Sequence, residues 1–171
     1  MDLQEFKIKV FPLKNKLFRL ANRLLGDSSE AQDIVQEVFI KLWSRREKLD
    51  EYKSVEALSM VTTRNLCLDK LKAKKYPVDR LDNLKVDMPD TDIESKIENN
   101  ELAEKIKNII LTLPEQMKTI IQLRDIEGYE FEEIAEIVGM NENAIRVSLS
   151  RARKKVRDIL INSKLYEYKR N

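Results

Sequence analysis

A chain of 171 residues with 42% apolar and 36% charged residues has room for one domain or two small ones, each with a modest core. Its formal charge is only +2, from 32 cations and 30 acids, so preference for a charged partner must come from where charges cluster. Histidine is absent and cysteine occurs once, at Cys67, which excludes a His- or Cys-built metal centre, every Ser–His–Asp or Cys–His triad and an internal disulfide.

The three glycines, Gly26, Gly128 and Gly139, stand far apart, so no glycine-rich loop can cradle a phosphate. This inventory favours no enzyme, and neither a metal nor a cofactor is expected. No apolar run approaches the ~18 residues of a membrane span. The start MDLQEFKIKVF lacks the apolar region of a signal peptide. The chain therefore reads as cytoplasmic, with no direct membrane binding.

Apolar residues recur at three and four positions along the chain, which predicts an all-α protein. The first run spans about 3–25, with Phe6, Val10, Leu13, Leu17, Leu20, Leu24 and Leu25 on one face. Pro12 should kink it or mark a restart. Gly26 suits a helix stop, and Ser28 or Ser29 suits the next N-cap. A second helix is expected over about 29–49, with Ile34, Val35, Val38, Phe39, Leu42 and Trp43 apolar. After the loop DEYKS, a third helix over 55–74 should turn Leu58, Val61, Leu66, Leu68 and Leu71 inward. Cys67 reads as a small core residue.

The pattern then fails. Between Asp79 and Glu104 there are nine acids against three bases, a net of −6, with Pro77 and Pro89 nearby. Such a stretch reads as an acidic linker over 77–98, between a first domain at 1–76 and a second at 99–171. The second half resumes helically to about 111. Pro114, with Thr112 just before it, should open the next helix, PEQMKTIIQLRDI. Gly128 breaks that helix. FEEIAEIVG and a strongly basic helix follow, and INSKLYEYKRN reads as a tail or a last helical turn.

The pair beginning at Phe131 carries a specific spacing. Ala135 is small where two helices cross, Gly139 permits a left-handed turn, and Ile145 anchors the second helix above Ile134 and Val138. Asn141 can cap that helix. A small residue, a glycine four on and an aliphatic six further on is the spacing of a DNA-binding helix-turn-helix. From Arg146 to Arg157 the stretch holds six cations and no acid.

An ordinary hairpin with a solvated basic face is the competing reading. Uncompensated charge favours DNA, whose phosphates release counterions as they are neutralised. Asn143, Arg146, Val147 and Ser150 are then the candidates to reach bases. Arg151, Arg153, Lys154, Lys155 and Arg157 are the candidates for phosphate.

The first half has its own signature, DSSEAQDIVQEVFIKLW, in which Asp33, Gln36, Glu37 and Ile40 share a helical stripe. EAQDIVQEVFIKLW followed by RNLCLDKLKAKK resembles region 2, the promoter-opening domain, of bacterial sigma factors. LPEQMKTIIQLRDIEGYEFEEIAEIVGMNENAIRVSLSRARKKVR resembles their region 4, which binds the upstream promoter element. Two domains in that order resemble the extracytoplasmic-function (ECF) class of alternative sigma factors, and the departures in the recognition helix resemble its Bacteroidetes members.

The resemblance implies roles. Asp33, Gln36, Glu37 and Ile40 would dock on the clamp helices of the RNA polymerase large subunit, and the second domain on its flap. Tyr52, Lys53, Ser54, Arg64, Asn65 and Lys70 would melt and hold the −10 element, with Tyr52 stacking on an extruded base. The recognition helix, through Asn143, Arg146, Val147, Ser150, Arg151, Arg153 and Lys154, would read the −35 element. Val147 stands where relatives carry serine and could meet a thymine methyl. Further implied partners are promoter DNA and an anti-sigma factor, often membrane-anchored, with a monomer when free. The rival function is a stand-alone helix-turn-helix regulator that binds DNA without polymerase.

Overall fold

The chain obeys local rules from its first helix. Asp2 and Glu5 exchange reciprocal side chain–backbone hydrogen bonds of 2.8 and 3.0 Å, a capping box that starts α1 (Leu3–Lys9). The structure, a computed structural model, describes the backbone of residues 1–75 and 99–170 and the side chains of 1–75 and 101–164. The acidic linker expected at 77–98 lies outside the described residues.

Pro12 cannot donate a backbone N–H, so the long first run divides. A 3-10 turn at Phe11–Leu13 carries the proline and hands over to α2 (Lys14–Leu25), which Gly26 ends at φ 69°. The next cap is Asp27, not Ser28 or Ser29: its carboxylate accepts the Glu30 N–H at 2.9 Å. Helix α3 (Ser28–Ser44) is shorter than expected, because the chain tightens into a 3-10 segment at Arg46–Glu51 that seats Leu49 in the core. Helix α4 (Val55–Lys75) then starts from Ser54, whose hydroxyl accepts the Ala57 N–H at 3.0 Å.

The core face of α4 differs from the expected one. Leu58, Val61, Leu66, Leu68 and Leu71 are only partly covered, whereas Ala57, Ser59, Met60, Thr63 and Cys67 are buried. Both α2 and α3 press on this helix, and small side chains permit that approach. The buried hydroxyls are satisfied within the helix. Ser59 donates to the Val55 carbonyl at 2.6 Å and Thr63 to the Ser59 carbonyl at 2.8 Å, so polar residues serve as core residues.

The second half has four helices. Helix α5 (Asn99–Leu111) precedes α6 (Glu115–Ile121), for which Pro114 is the N-cap residue itself. The helix does not run on regularly to Ile126. At Gln122–Ile126 it widens into a π-turn, and the Glu127 N–H reaches the Gln122 carbonyl at 3.0 Å, five residues back. Helices α7 (Phe131–Val138) and α8 (Glu142–Arg170) follow, separated by Gly139 at φ 69°. Asn141 caps α8 by accepting the Ala144 N–H at 2.8 Å. The segment read as a tail continues α8, which is 29 residues long.

Leu17, Leu20, Leu24, Val38, Leu49 and Met60 fill the first half's interior, and Ile120, Leu123, Ile134, Ile145 and Leu149 the second's. The halves pack on each other, α2 against α6 and α4 against α7. Among the described residues there is no strand.

The position of Cys67 tests the revised core face. It is fully buried, and burial pushes its thiol up to about 12. Native protein at pH 8 should therefore leave Ellman's reagent unreacted, with labelling appearing only as denaturant unfolds the first half; rapid labelling without denaturant would contradict the packing of α4.

Candidate nucleic-acid and polymerase interface

On α3, Ile34, Val35, Val38 and Leu42 point inward. Asp33, Gln36, Glu37 and Ile40 lie on the opposite face at the i, i+3, i+4, i+7 spacing, all exposed. Glu37 pairs loosely with Lys41 at 3.6 Å. Ile40 is 68% exposed, and Phe39 beside it meets the 46%-exposed Phe11 with ring centroids 5.2 Å apart. An apolar shoulder of Phe11 and Phe39 thus lies next to the polar stripe. Sequence reasoning missed Phe11, because its partner Phe39 is 28 residues away.

A second feature opens beside α4. A cleft of about 240 Å³ lies between the 3-10 segment and α4, with Arg45, Leu49, Tyr52, Leu58, Asn65 and Asp69 among its walls. Tyr52 and Asn65 both line it. The remaining residues assigned to −10 recognition do not join them. Ser54 spends its hydroxyl capping α4, and Lys70 is partly exposed further along the helix. Lys53 reaches Glu132 of α7 at 3.9 Å. Arg64 Nε is buried without a hydrogen-bond partner. Burial lowers its guanidinium pKa, against the pull of Glu115. Of the six residues, Tyr52 and Asn65 line the cleft, Lys53 and Arg64 feel carboxylates of the second half, and Ser54 and Lys70 belong to neither group.

The seam is a polar network over a packed floor. Arg19 makes a bidentate pair with Glu127 at 2.6 and 2.8 Å. Arg23 donates to Gln122 Oε1 at 2.9 Å, and Gln122 Nε2 donates to Glu127 at 3.1 Å. Lys16 holds Glu56 at 2.7 Å, and the same carboxylate accepts the Tyr129 phenol. Burial pushes the Glu56 carboxyl up, but the Lys16 and Tyr129 hydrogen bonds outweigh it and leave it below its ordinary value. Burial, with the bond to Glu56, holds the Tyr129 phenol protonated far above the usual tyrosine range.

The third feature is the helix-turn-helix. Ile134, Val138 and Ile145 are buried as its spacing requires, and Ala135 is half-buried at the crossing. Asn143, Arg146, Val147, Ser150, Arg151, Arg153 and Lys154 are all exposed on α8. Residues 143, 146, 147, 150 and 154 fall on one helical face.

Two of these side chains are already engaged. Arg146 pairs with Glu142 at 3.2 Å, and its guanidinium lies 4.0 Å above the Phe131 ring, which Arg124 also covers at 4.6 Å. Arg153 forms a bidentate pair with Asp125 of the wide turn, one bond at 3.0 Å. Hydrogen bonding to Asp125 raises the Arg153 pKa. Arg153 thus ties α8 to the π-turn, whereas Arg151 and Lys154 remain exposed on the helix. Phe131, which seats Arg146, went unread as a site residue in the sequence; an aromatic at the first position of a helix looks like core.

Among the described residues, no group of three or more Cys, Asp or Glu side chains could hold a metal ion. None of their helices is long and apolar enough to cross a membrane.

Comparison with known proteins agrees with the two halves. Residues 12–76 match the family described as Sigma-70 region 2, and residues 103–156 match Sigma-70, region 4. The chain is 32% identical over 145 residues to RNA polymerase sigma factor SigV of Bacillus subtilis, covering 84% of each protein. It is 28% identical over 149 residues to ECF RNA polymerase sigma factor SigE of Mycolicibacterium smegmatis, a match that takes 85% of this chain and 58% of that one.

Among solved structures, sigma factor RpoE in complex with anti-sigma factor NepR from Bartonella quintana is similar in fold, with a TM-score of 0.68 at 19% identity over 92% of this chain and 98% of that one. With regions 2 and 4 matched in order and a helix-turn-helix in the second, the chain belongs to the sigma-70 family, as an alternative sigma factor of the ECF group.

Proposed function

We propose that the chain binds core RNA polymerase through α3 and directs it to a defined set of promoters, as a specificity factor and not a catalyst. The observation that carries this reading is the pairing, in one chain, of the exposed Asp33–Gln36–Glu37–Ile40 face with a helix-turn-helix whose cations have no acid among them. The α3 face docks on the clamp helices of the large subunit, with Phe11 and Phe39 as its apolar shoulder, and the second half on the flap. Tyr52 and Asn65 receive an unstacked base of the −10 strand in their cleft, where an aromatic face and an amide serve stacking and hydrogen bonding. Lys53, Arg64 and Lys70 meet the backbone of that strand, and Ser54 fixes the start of α4.

On α8, Asn143, Arg146, Val147 and Ser150 face the bases of the −35 element, while Arg151 and Lys154 contact phosphate. Arg153 positions the helix through Asp125. Work on promoters places the protein in the cytoplasm. The solved structures similar in fold are complexes, of sigma factor RpoE with anti-sigma factor NepR and of CnrH with the cytosolic domain of CnrY, which supports an anti-sigma partner here, soluble or membrane-anchored. Val147, 48% exposed on the reading face, fits T-containing upstream elements of the Bacteroidetes kind.

Run-off transcription with purified core polymerase on a promoter library tests the main reading. A defined subset should be transcribed, and changing Asp33 and Gln36 together to alanine should abolish it. Silence throughout, with tight binding of the free protein to a symmetric DNA site, would establish a stand-alone regulator instead.

The division of labour on α8 has its own test. Arg151→Ala should reduce the slope of log affinity against log salt by about one without moving the melting temperature. Arg153→Ala should lower the melting temperature as well, by an amount consistent with an exposed ion pair of at most ~1 kcal/mol. Anisotropy in a salt series and thermal melts read both. Val147→Ser should re-rank promoter variants that differ by a thymine in the upstream element; an unchanged ranking would remove the methyl contact.

A further inference from the structure

Between α7 and α8 one aromatic ring is shared by two arginines. Phe131 is the first residue of α7. The Arg146 guanidinium lies 4.0 Å from its centroid and the Arg124 guanidinium 4.6 Å. Each arginine has a carboxylate of its own. Glu130 takes Arg124 at 3.1 Å, and Glu142 takes Arg146 at 3.2 Å. Glu130, Arg124, Phe131, Arg146 and Glu142 therefore form a row that links the wide turn to the reading helix, with charge paired at both ends.

The two arginines are not held alike. Arg124 is fixed, because it also donates to the Tyr129 carbonyl at 2.8 Å. The ring is fixed as well. A capping box, in which Glu133 accepts the Glu130 N–H at 2.8 Å, sets the start of α7, and Phe131 packs against the core. Arg146 is half-exposed on α8. Its exposed i, i+4 pair with Glu142 restrains a long side chain weakly, so the ring is its firmer support.

The attraction of a cation to a ring face spends none of its N–H donors. Donors of Arg146 that are not on Glu142 therefore stay free to form a fork. A long side chain loses rotamer freedom on meeting a base, and one seated beforehand loses less. A seated guanidinium with open donors suits the bidentate contact with guanine O6 and N7 in a major groove. The ring also lines an open cleft beside α8 with Arg146, Ser150, Arg153 and Arg157, so it stands next to the reading face while belonging to α7.

We propose that Phe131 is a specificity-determining positioning residue: its ring, shared with the fixed Arg124, holds Arg146 ready to meet a guanine of the −35 element. The inference rests on the sigma-factor reading of α8. It adds that a side chain outside the recognition helix decides how sharply one base pair is read.

Run-off transcription with core polymerase and the full-length chain tests this, on promoters that differ by single base pairs in the −35 element. Arg146→Ala should lower the preference at one G·C pair by at least about fivefold, the lower end of a bidentate contact. Phe131→Leu keeps apolar bulk and removes the ring. It should lower the preference at that same pair by about two- to fivefold, the worth of an exposed cation–π contact, and leave the other pairs ranked as before. Phe131→Tyr keeps the ring face and should retain the wild-type ranking. In the Arg146→Ala background, Phe131→Leu should change nothing further at that pair.

Thermal melts check folding, and Phe131→Met replaces Phe131→Leu if that variant does not fold. A merely structural role would depress transcription from every promoter alike, and that outcome overturns the proposal. Equal losses with and without Arg146 would mean that Phe131 touches DNA itself, which overturns it too. So does an Arg146→Ala variant that ranks the promoters as the wild type does. Failure of the parent reading looks different, because the wild type then yields no transcript from any promoter.

Discussion

Everything in the first half depends on how closely α4 can be approached. Two helices press on it, and the face they meet is built from Ala57, Ser59, Thr63 and Cys67, with Met60 as the large member. Each buried hydroxyl is spent on a carbonyl of the same helix, so the face is narrow and chemically quiet. A narrow core face leaves the rest of the helix circumference free. One free side, with Asn65 and Asp69, closes a cleft against the 3-10 segment; another, with Glu56 and Arg64, meets the second half. Had the leucines formed the core face, Leu58 and Leu66 would be unavailable to line the cleft and α4 would have one face fewer to use.

The second half solves a different problem, keeping a cationic helix in place without neutralising it. Helix α8 is anchored from below by Ile145, Leu149 and Ala152, all buried. It is tied from the side by Arg153 on Asp125, and its leading arginine lies over Phe131. Only Glu142 and Asp125 draw on its cations among the pairs described, leaving Arg151 and Lys154 to the solvent side. A field of this kind attracts polyanions at long range and is screened over about 8 Å at physiological salt.

The sequence revealed most where local chemistry decides. Proline 12 divided its helix, Gly26 and Gly139 ended theirs in left-handed turns, and Asn141 capped α8. The stripe from Asp33 to Ile40 and the exposed residues of α8 followed from helical period alone. Where tertiary packing decides, the sequence misled. The leucines of α4 outscored its hydroxyls in apolar character, yet the hydroxyls are inside. Asp27 took the cap from two serines. Arg64 and Lys53 lie outside the Tyr52 cleft, and the acids that act on them, Glu115 and Glu132, come after the acidic stretch in sequence. Phe131 and Phe11 became legible only once their partners were in place.

The π-turn at Gln122–Ile126 has a consequence for how the two halves keep phase. In a regular helix, residues five apart diverge by about 140°, at ~100° per residue; the extra residue in this turn brings Gln122 and Glu127 side by side, 3.1 Å apart, so that Arg23 and Arg19 can grip both. The same turn carries Asp125, the tether of α8. The turn works as an indexing step between the seam and the reading helix. Removing one residue would turn Glu127 by roughly 100° away from Gln122 and shift the buried Leu123 against the core of its own half. Substitutions there alter single contacts, whereas a change of length would disturb the seam and the tether of α8 together.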